Sequence, residues 1–445
     1  MTYTHLVAVL TLVSATTAKV YADTPRQNPT AAHIQRTWKT LSESTAEKPA
    51  AVRILFYGQS ITAQAWTQTV IQQLKAQYPT VQFDSANLAI GGYSSESLIR
   101  TADHDLYPWY PDLLFFHVYG PIDKYEDIIR QVREKTSAEV VLWSSHLSNK
   151  PDEKNPNDER GEKIEAIAKK YNCMFINLRE KWRKHLVTNN INYTNLLSDS
   201  IHLRPEGCAL YAQLISEELG RNPALGDNPT QSGTITFVPF SAAKKTATGY
   251  ELAFEGNHVV AVSDGTGNTN VAATILLDQK PPADDVSMWA VSRPSNNPKN
   301  WMPAINNIAF TKPLVEENWT LTCLADSATN ASPVHFKVDG SVTGFAGEGW
   351  NTNRFVSPTG RVIIEPSDWR LPWALSYVKM ALPNDFQVTW KTYPLFAARY
   401  TPQAHGKTTR LLQGCANGRH VLTLVCAQPT EPLGIQGFWI YKPAK

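Results

Sequence analysis

Between residues 51 and 219 a short apolar run alternates, five times over, with a run of helical period. Residues 52–57, 81–89, 113–118, 139–143 and 173–177 read as strands. Residues 64–78, 96–101, 125–136, 159–171 and 205–219 read as helices, the last with Pro205 at an early position. Strands this short and this apolar are buried on both faces, so the alternation implies a parallel sheet with helices on either side. Such sheets bind their ligands at the carboxyl ends of the strands. Ser60, the Gly91-Gly92 pair and residues 117–120 all fall at such ends.

The texture changes after residue 220. Residues 221–233 carry Pro223, Gly226, Pro229 and Gly233 and read as a linker. From 234 to 445 the chain is made of short runs rich in β-branched and aromatic residues, separated by Gly, Asn and Pro. That pattern predicts an all-β sandwich of jelly-roll type. At the other end, residues 6–13 form a short apolar core and Val20-Tyr21-Ala22 a cleavage-type site. Residues 1–22 therefore read as a signal peptide, and 23–50 as a polar lead-in with a helical pattern near 31–41. The expected location is periplasmic or secreted, with no membrane insertion.

A net charge of +2 leaves no electrostatic footprint for nucleic acid. Only 18 % of residues are charged, while there are 13 Trp and 17 Tyr. Low charge with many aromatics suits an extracellular protein that handles sugars, because aromatic faces pack on the C–H faces of sugar rings. The five cysteines show no metal-binding spacing; Cys415 and Cys426 flank a hairpin strand and are candidates to pair. No phosphate loop, dinucleotide fingerprint or zinc motif is present, so neither cofactor nor metal is expected.

Ser60 stands in Gly58-Gln59-Ser60-Ile61, where the first strand gives way to a helical run. A Ser there is either a helix cap or a nucleophile whose own N–H, in the first turn of a helix, faces a developing negative charge. Asp199 and His202 lie three apart in the loop before the last helix. That is the division of labour a serine nucleophile needs: a ring nitrogen as base, and a carboxylate to fix its tautomer. His117 and His146 end strands; His117 is either a core histidine or a functional residue, and His146 either a loop histidine or a cleft residue. Asp103-His104-Asp105 reads as surface, since neighbouring side chains in a loop rarely converge.

Three stretches in order resemble the blocks of the SGNH-hydrolase superfamily. They are Gly58-Gln59-Ser60-Ile61, Asn87-Leu88-Ala89-Ile90-Gly91-Gly92, and Asp199 through Gly207 in Asp-Ser-Ile-His-Leu-Arg-Pro-Glu-Gly. The resemblance covers about residues 50–220. It implies a flavodoxin-like three-layer α/β/α domain and an acyl-ester hydrolase, often one acting on carbohydrates. It implies Ser60 as nucleophile, His202 as base, Asp199 as its orienter, and the Gly92 and Ser60 amides as oxyanion donors. Two positions depart from the pattern. Gln59 replaces the usual Asp, and Ile122 occupies the place of an Asn whose amide would also face the oxyanion. His117 and Tyr119 are the nearby candidates to replace it. The activity expected is removal of acyl groups, acetyl above all, from a polysaccharide or oligosaccharide. The alternatives are a glycosidase or lyase in the same cleft, and a glycan-binding protein without catalysis.

Overall fold

The computed structural model describes residues 29–149, 158–220, 233–267, 271–426 and 432–445. The expected signal peptide and nearly all of the expected linker lie outside them.

Five strands form the first sheet: β1 (Ala51–Gly58), β2 (Gln82–Asn87), β3 (Leu113–His117), β4 (Glu139–Trp143) and β5 (Met174–Ile176). All pairs are parallel and the order is 2-1-3-4-5, the doubly wound arrangement of flavodoxin type. β3 and β4 are buried at every position, whereas the edge strand β2 is largely exposed. The pleat of β1 divides its side chains between two cores. Val52, Ile54 and Phe56 meet α1 (Gln35–Ser42), α2 (Trp66–Gln77), α6 (Leu178–Thr188) and α7 (Pro205–Ser216). Leu55 and Tyr57 meet α3 (Ser95–Asp105), α4 (Ile122–Lys135) and α5 (Glu159–Lys170). Helix α6 is absent from the expectation, because Arg, Lys and Glu obscure its one buried stripe of Leu178, Trp182 and Leu186.

Register sets the floor of the site. Gly58 pairs with His117, and Phe56 with Asn87, so three strand ends lie side by side. Beneath them Phe56 stacks on Phe115 at 4.7 Å and meets Trp66 edge-on at 5.6 Å. Such pairs contribute about 0.5–1.5 kcal/mol each beyond the area they bury. Gly58 is required by space: a Cβ there would lie 2.3 Å from the His117 carbonyl oxygen and 2.5 Å from Thr62 Oγ1.

Among the described residues the second half is β-rich and antiparallel, with two main sheets and a two-stranded pairing of Phe355–Val356 with Ile363–Ile364. One includes Thr234–Pro239, Gly249–Ser263, Ala273–Leu277, Thr408–Cys426 and Ile435–Lys442. The other holds Trp289–Val291, Glu317–Cys323, His335–Gly340, Gly344–Trp350 and Gln387–Pro394. Each sheet has its own apolar cluster. A single α-helix among the described residues of this half, α8 (Leu371–Val378), packs Leu371 and Leu375 on the second. All five cysteines are free and buried. Cys415 and Cys426 do not pair because they belong to one strand, 408–426, rather than to facing ones.

The halves meet over α3 and the end of β2. Asp103-His104-Asp105 is the end of α3 rather than a surface loop, and His104 and Asp105 are buried. Asp105 binds Arg293 at 2.7–3.1 Å, and the Ile308 N–H donates to His104 Nε2 at 3.1 Å. The expectation of exposure failed because the covering residues lie some 190 positions further on. Met302, from the β-rich half, is part of the α/β domain's second core.

Candidate active site

Ser60 lies in a turn closed by the Ala63 N–H on the Gln59 carbonyl at 3.0 Å, and α2 begins only at Trp66. Its amide is therefore not in the first turn of a helix, as the sequence suggests. Local hydrogen bonds rather than a helix dipole shape this turn. Gln59 Oε1 accepts the Ile61 N–H at 2.7 Å, and Asn87 Nδ2 donates to the Thr62 carbonyl at 2.7 Å. Gln59 thus serves as a local cap, a task an acceptor oxygen performs with or without charge.

Ser60 Oγ is 2.8 Å from His202 Nε2, and His202 Nδ1 is 2.6 Å from Asp199 Oδ2. With Nδ1–H donating to the carboxylate, Nε2 is left to accept the Ser60 proton. Gln59 Oε1, at 3.1 Å, is a second acceptor for that hydroxyl. The other oxygen of Asp199 accepts the N–H groups of Ile201 and His202 at 2.8 and 2.7 Å. Although Asp199 is slightly desolvated, which alone would raise its pKa, these two amides and the His202 ring outweigh that and bring it down to about 2. The side chain is 54 % exposed, so backbone geometry, not burial, fixes its direction.

The loop carrying this pair is closed on itself. Leu197 and Leu203 form an antiparallel bridge, and Ser198 N–H donates to the His202 carbonyl at 2.8 Å. It is also tied to the segment that follows Ser60. Gln64 Nε2 donates to the Leu203 carbonyl at 2.9 Å, while its Oε1 accepts the Leu203 N–H at 3.1 Å. From below, His146 Nε2 meets the Ile201 carbonyl at 2.9 Å. Burial lowers the pKa of His146 to about 4, so its ring is a neutral prop rather than a cleft residue. Gln64 was not singled out in the sequence, where nothing links it to Leu203.

Gly91 and Gly92 are the middle residues of a turn in which Tyr93 N–H donates to the Ile90 carbonyl at 3.2 Å. Such a turn leaves the two central amides unused by its own closure. Gly92 has φ +78°, the left-handed region that glycine enters freely. A Cβ on Gly91 would lie 3.7 Å from Ser60 Cβ, so the turn borders Ser60.

The β-rich half holds this turn from outside. Arg293 Nη2 donates to the Leu88 carbonyl at 2.7 Å, and Trp301 Nε1 to that of Gly91 at 2.9 Å. Met302 Cε would be 2.8 Å from a Cβ on Gly92. The Tyr93 hydroxyl donates to Asn306 Oδ1 at 2.6 Å. None of these residues was legible in the sequence as part of the site.

His117 and Tyr119 are placed differently from expectation. His117 is 1 % exposed, bonds Ser145 Oγ at 3.2 Å and stacks on Trp143 at 5.4 Å. Burial lowers its pKa to about 3. It is a neutral core histidine, presenting no donor to a ligand. Tyr119 sets its ring edgewise on His117 at 5.3 Å, with its hydroxyl buried. Ile122 opens α4 and packs on the second core.

No family model matches the chain, and no curated protein matches it. Solved structures do. A two-domain esterase active on acetylated mannans is 13 % identical over 92 % of this chain and 95 % of its own, with a TM-score of 0.38. An acetylxylan esterase from Geobacillus stearothermophilus is 19 % identical over 38 % of this chain and 95 % of its own, at a TM-score of 0.34. Another acetyl xylan esterase is 21 % identical over 38 % of this chain and 100 % of its own, at 0.33.

Proposed function

We propose that the protein is an exported serine esterase that removes acyl groups, chiefly acetyl, from a polysaccharide or oligosaccharide. The observation that carries this reading is the unbroken hydrogen-bonded line from Ser60 Oγ through the His202 ring to Asp199, at 2.8 and 2.6 Å. A protein that only bound glycans would have no use for that line.

In this mechanism Ser60 Oγ attacks the acyl carbon while its proton passes to His202 Nε2. Asp199 holds the imidazolium that forms and keeps Nδ1 protonated. The amides of Ser60 and Gly92 receive the oxyanion. When the tetrahedral intermediate collapses, His202 returns the proton to the sugar oxygen, and the acyl group stays on Ser60. A water, deprotonated by His202, then attacks the acyl-serine, and His202 returns that proton to Ser60 Oγ as the acid departs. With Ile122 in place of an amide donor, two backbone N–H groups do this work. One missing oxyanion donor is worth about 10²–10³ in rate, so a modest turnover is expected.

The test is acetate release from acetylated glucomannan and acetylated xylan, alongside hydrolysis of 4-nitrophenyl acetate. Ser60→Ala should lower turnover by roughly 10⁴-fold or more with circular dichroism unchanged. Activity that survives this change would overturn the mechanism. Chain length of the products separates the esterase from a glycosidase or lyase, because an esterase leaves the glycan uncut.

A further inference from the structure

We infer that Trp301, Tyr377 and Trp373 form a platform that holds the glycan backbone beside Ser60. This rests on the esterase reading and names where the chain bearing the ester lies.

Large aromatic rings are seldom left in water without a use, since burying one is worth about 1.5–3 kcal/mol. Among the described residues Trp301, Phe345, Trp373, Tyr377 and Trp439 are the strongly exposed aromatics. Three of these five touch one another. Tyr377 meets Trp301 edge-on at 6.1 Å and 84°, and stacks on Trp373 at 5.3 Å, between ring centroids. They are 51, 59 and 42 % exposed, respectively, for Trp301, Tyr377 and Trp373.

The rings are fixed before any ligand arrives. Trp301 is held by its hydrogen bond to the Gly91 carbonyl. Trp373 and Tyr377 stand one turn apart on α8, which puts them on one face with planes within 13°. The Arg370 guanidinium lies 4.0 Å from the Trp373 ring centroid and 5.4 Å from that of Tyr93. Fixed rings give up little freedom on binding, so contact area is not spent on ordering them.

The platform is continuous with the nucleophile. A Cβ on Gly91 would lie 3.1 Å from Trp301 Nε1 and 3.7 Å from Ser60 Cβ, so one residue separates the two. The line runs from Ser60 to Gly91, then across Trp301 and Tyr377 to Trp373. The chemistry of the line points to a sugar chain. Flat rings attract the polarised C–H faces of pyranoses, and here the Trp301 ring stands at 84° to Tyr377, so the cluster offers ring faces in two directions along the line. The Tyr377 hydroxyl and Arg370 meet hydroxyls, whereas a long acyl chain would call for aliphatic walls.

The test uses the full chain carrying Ser60→Ala, titrated calorimetrically with unacetylated glucomannan oligosaccharide and with xylohexaose. Adding Trp373→Ala or Tyr377→Ala should weaken binding about tenfold, as expected for loss of one ring contact of ~1.4 kcal/mol. In the Ser60 background, the ratio of kcat/KM on acetylated polymer to that on 4-nitrophenyl acetate should fall by a similar factor. Circular dichroism and Tm of the variants report on folding. Failure of both oligosaccharides to bind, or unchanged binding and an unchanged ratio in both ring variants, would overturn the platform. If the small ester is hydrolysed in that case, the esterase reading stands without it. If no ester is hydrolysed at all, the esterase reading itself falls.

Discussion

Gln64 has the site's alignment in its one side chain. Its amide bonds both backbone groups of Leu203, the residue after His202. Gln64→Ala leaves a backbone donor and acceptor unpaired, at about 1–3 kcal/mol. We expect kcat to fall about 10- to 100-fold with KM nearly unchanged, because orientation of the base is lost rather than a substrate contact. Gly92→Ala should be worse for catalysis than for folding. It forces an alanine to φ +78° against Met302, at roughly 1–2 kcal/mol, and shifts the amide proposed to face the oxyanion. Steady-state kinetics beside thermal melts would separate the two effects. Asp199 supplies a pH prediction. Its carboxyl is depressed to about 2 from 3.8, so its contribution is complete above 3.8 and lost as pH falls toward 2. The acid limb of kcat/KM should therefore show one proton, with no second inflection between pH 4 and 7. A slope of two in that range would refute this. Ser60, Asp199, His202 and the glycine turn were legible because each lies in a short local motif. Gln64 was not, since a lone Gln on an exposed helical run carries no signal of its partner.

The element that distinguishes this site is the turn 88–93, held on one side by the parallel sheet and on the other by the β-rich half. Arg293 joins two tasks there: it neutralises Asp105 and binds the Leu88 carbonyl. Arg293→Met leaves the 3 %-exposed Asp105 carboxylate without its cation, at about 3–5 kcal/mol. Tm and kcat should both drop. Adding Asp105→Leu removes the orphaned charge and should recover Tm, while kcat stays low because the Leu88 contact is still missing. Recovery of both would show that the arginine acts through stability alone. The order of strands and most helices in residues 51–220 was readable, since apolar period reports burial directly. The clamps on the turn were not. They are single residues in irregular stretches, and what they touch lies some 200 positions earlier, where no periodicity points.

Over the whole molecule, acid is the weak side. His104, His117, His146 and His258 are buried, and desolvation lowers them to about 4, 3 and 4, and for His258 well below 6.5. Above pH 6.5 these rings are neutral in both folded and unfolded chains. Below it the unfolded chain takes up protons that the folded chain refuses, so stability falls on acidification by up to ~1.4 kcal/mol per pH unit for each ring. Buried Asp105, raised to about 6 by desolvation, and Asp112 and Glu139, raised likewise, act the opposite way, so we expect the four rings to outweigh them and Tm to fall between pH 6.5 and 4.5. His258→Phe should flatten that fall by one ring's share, because both His258 nitrogens are buried without partners beside Tyr441. Melts across this range test it, and an unchanged slope in the variant would contradict the account.

The clamp on turn 88–93 also bears on when the proposed activity would begin. A chain leaves the ribosome from its amino end, so Ser60, Asp199 and His202 emerge long before Arg293, Trp301, Met302 and Asn306. Until those residues have emerged and folded back, the proposed nucleophile and base exist beside a turn that the β-rich half does not yet hold in shape. Competence is thus a late event in the life of each molecule, and the newborn amino-terminal half carries its chemistry uncocked.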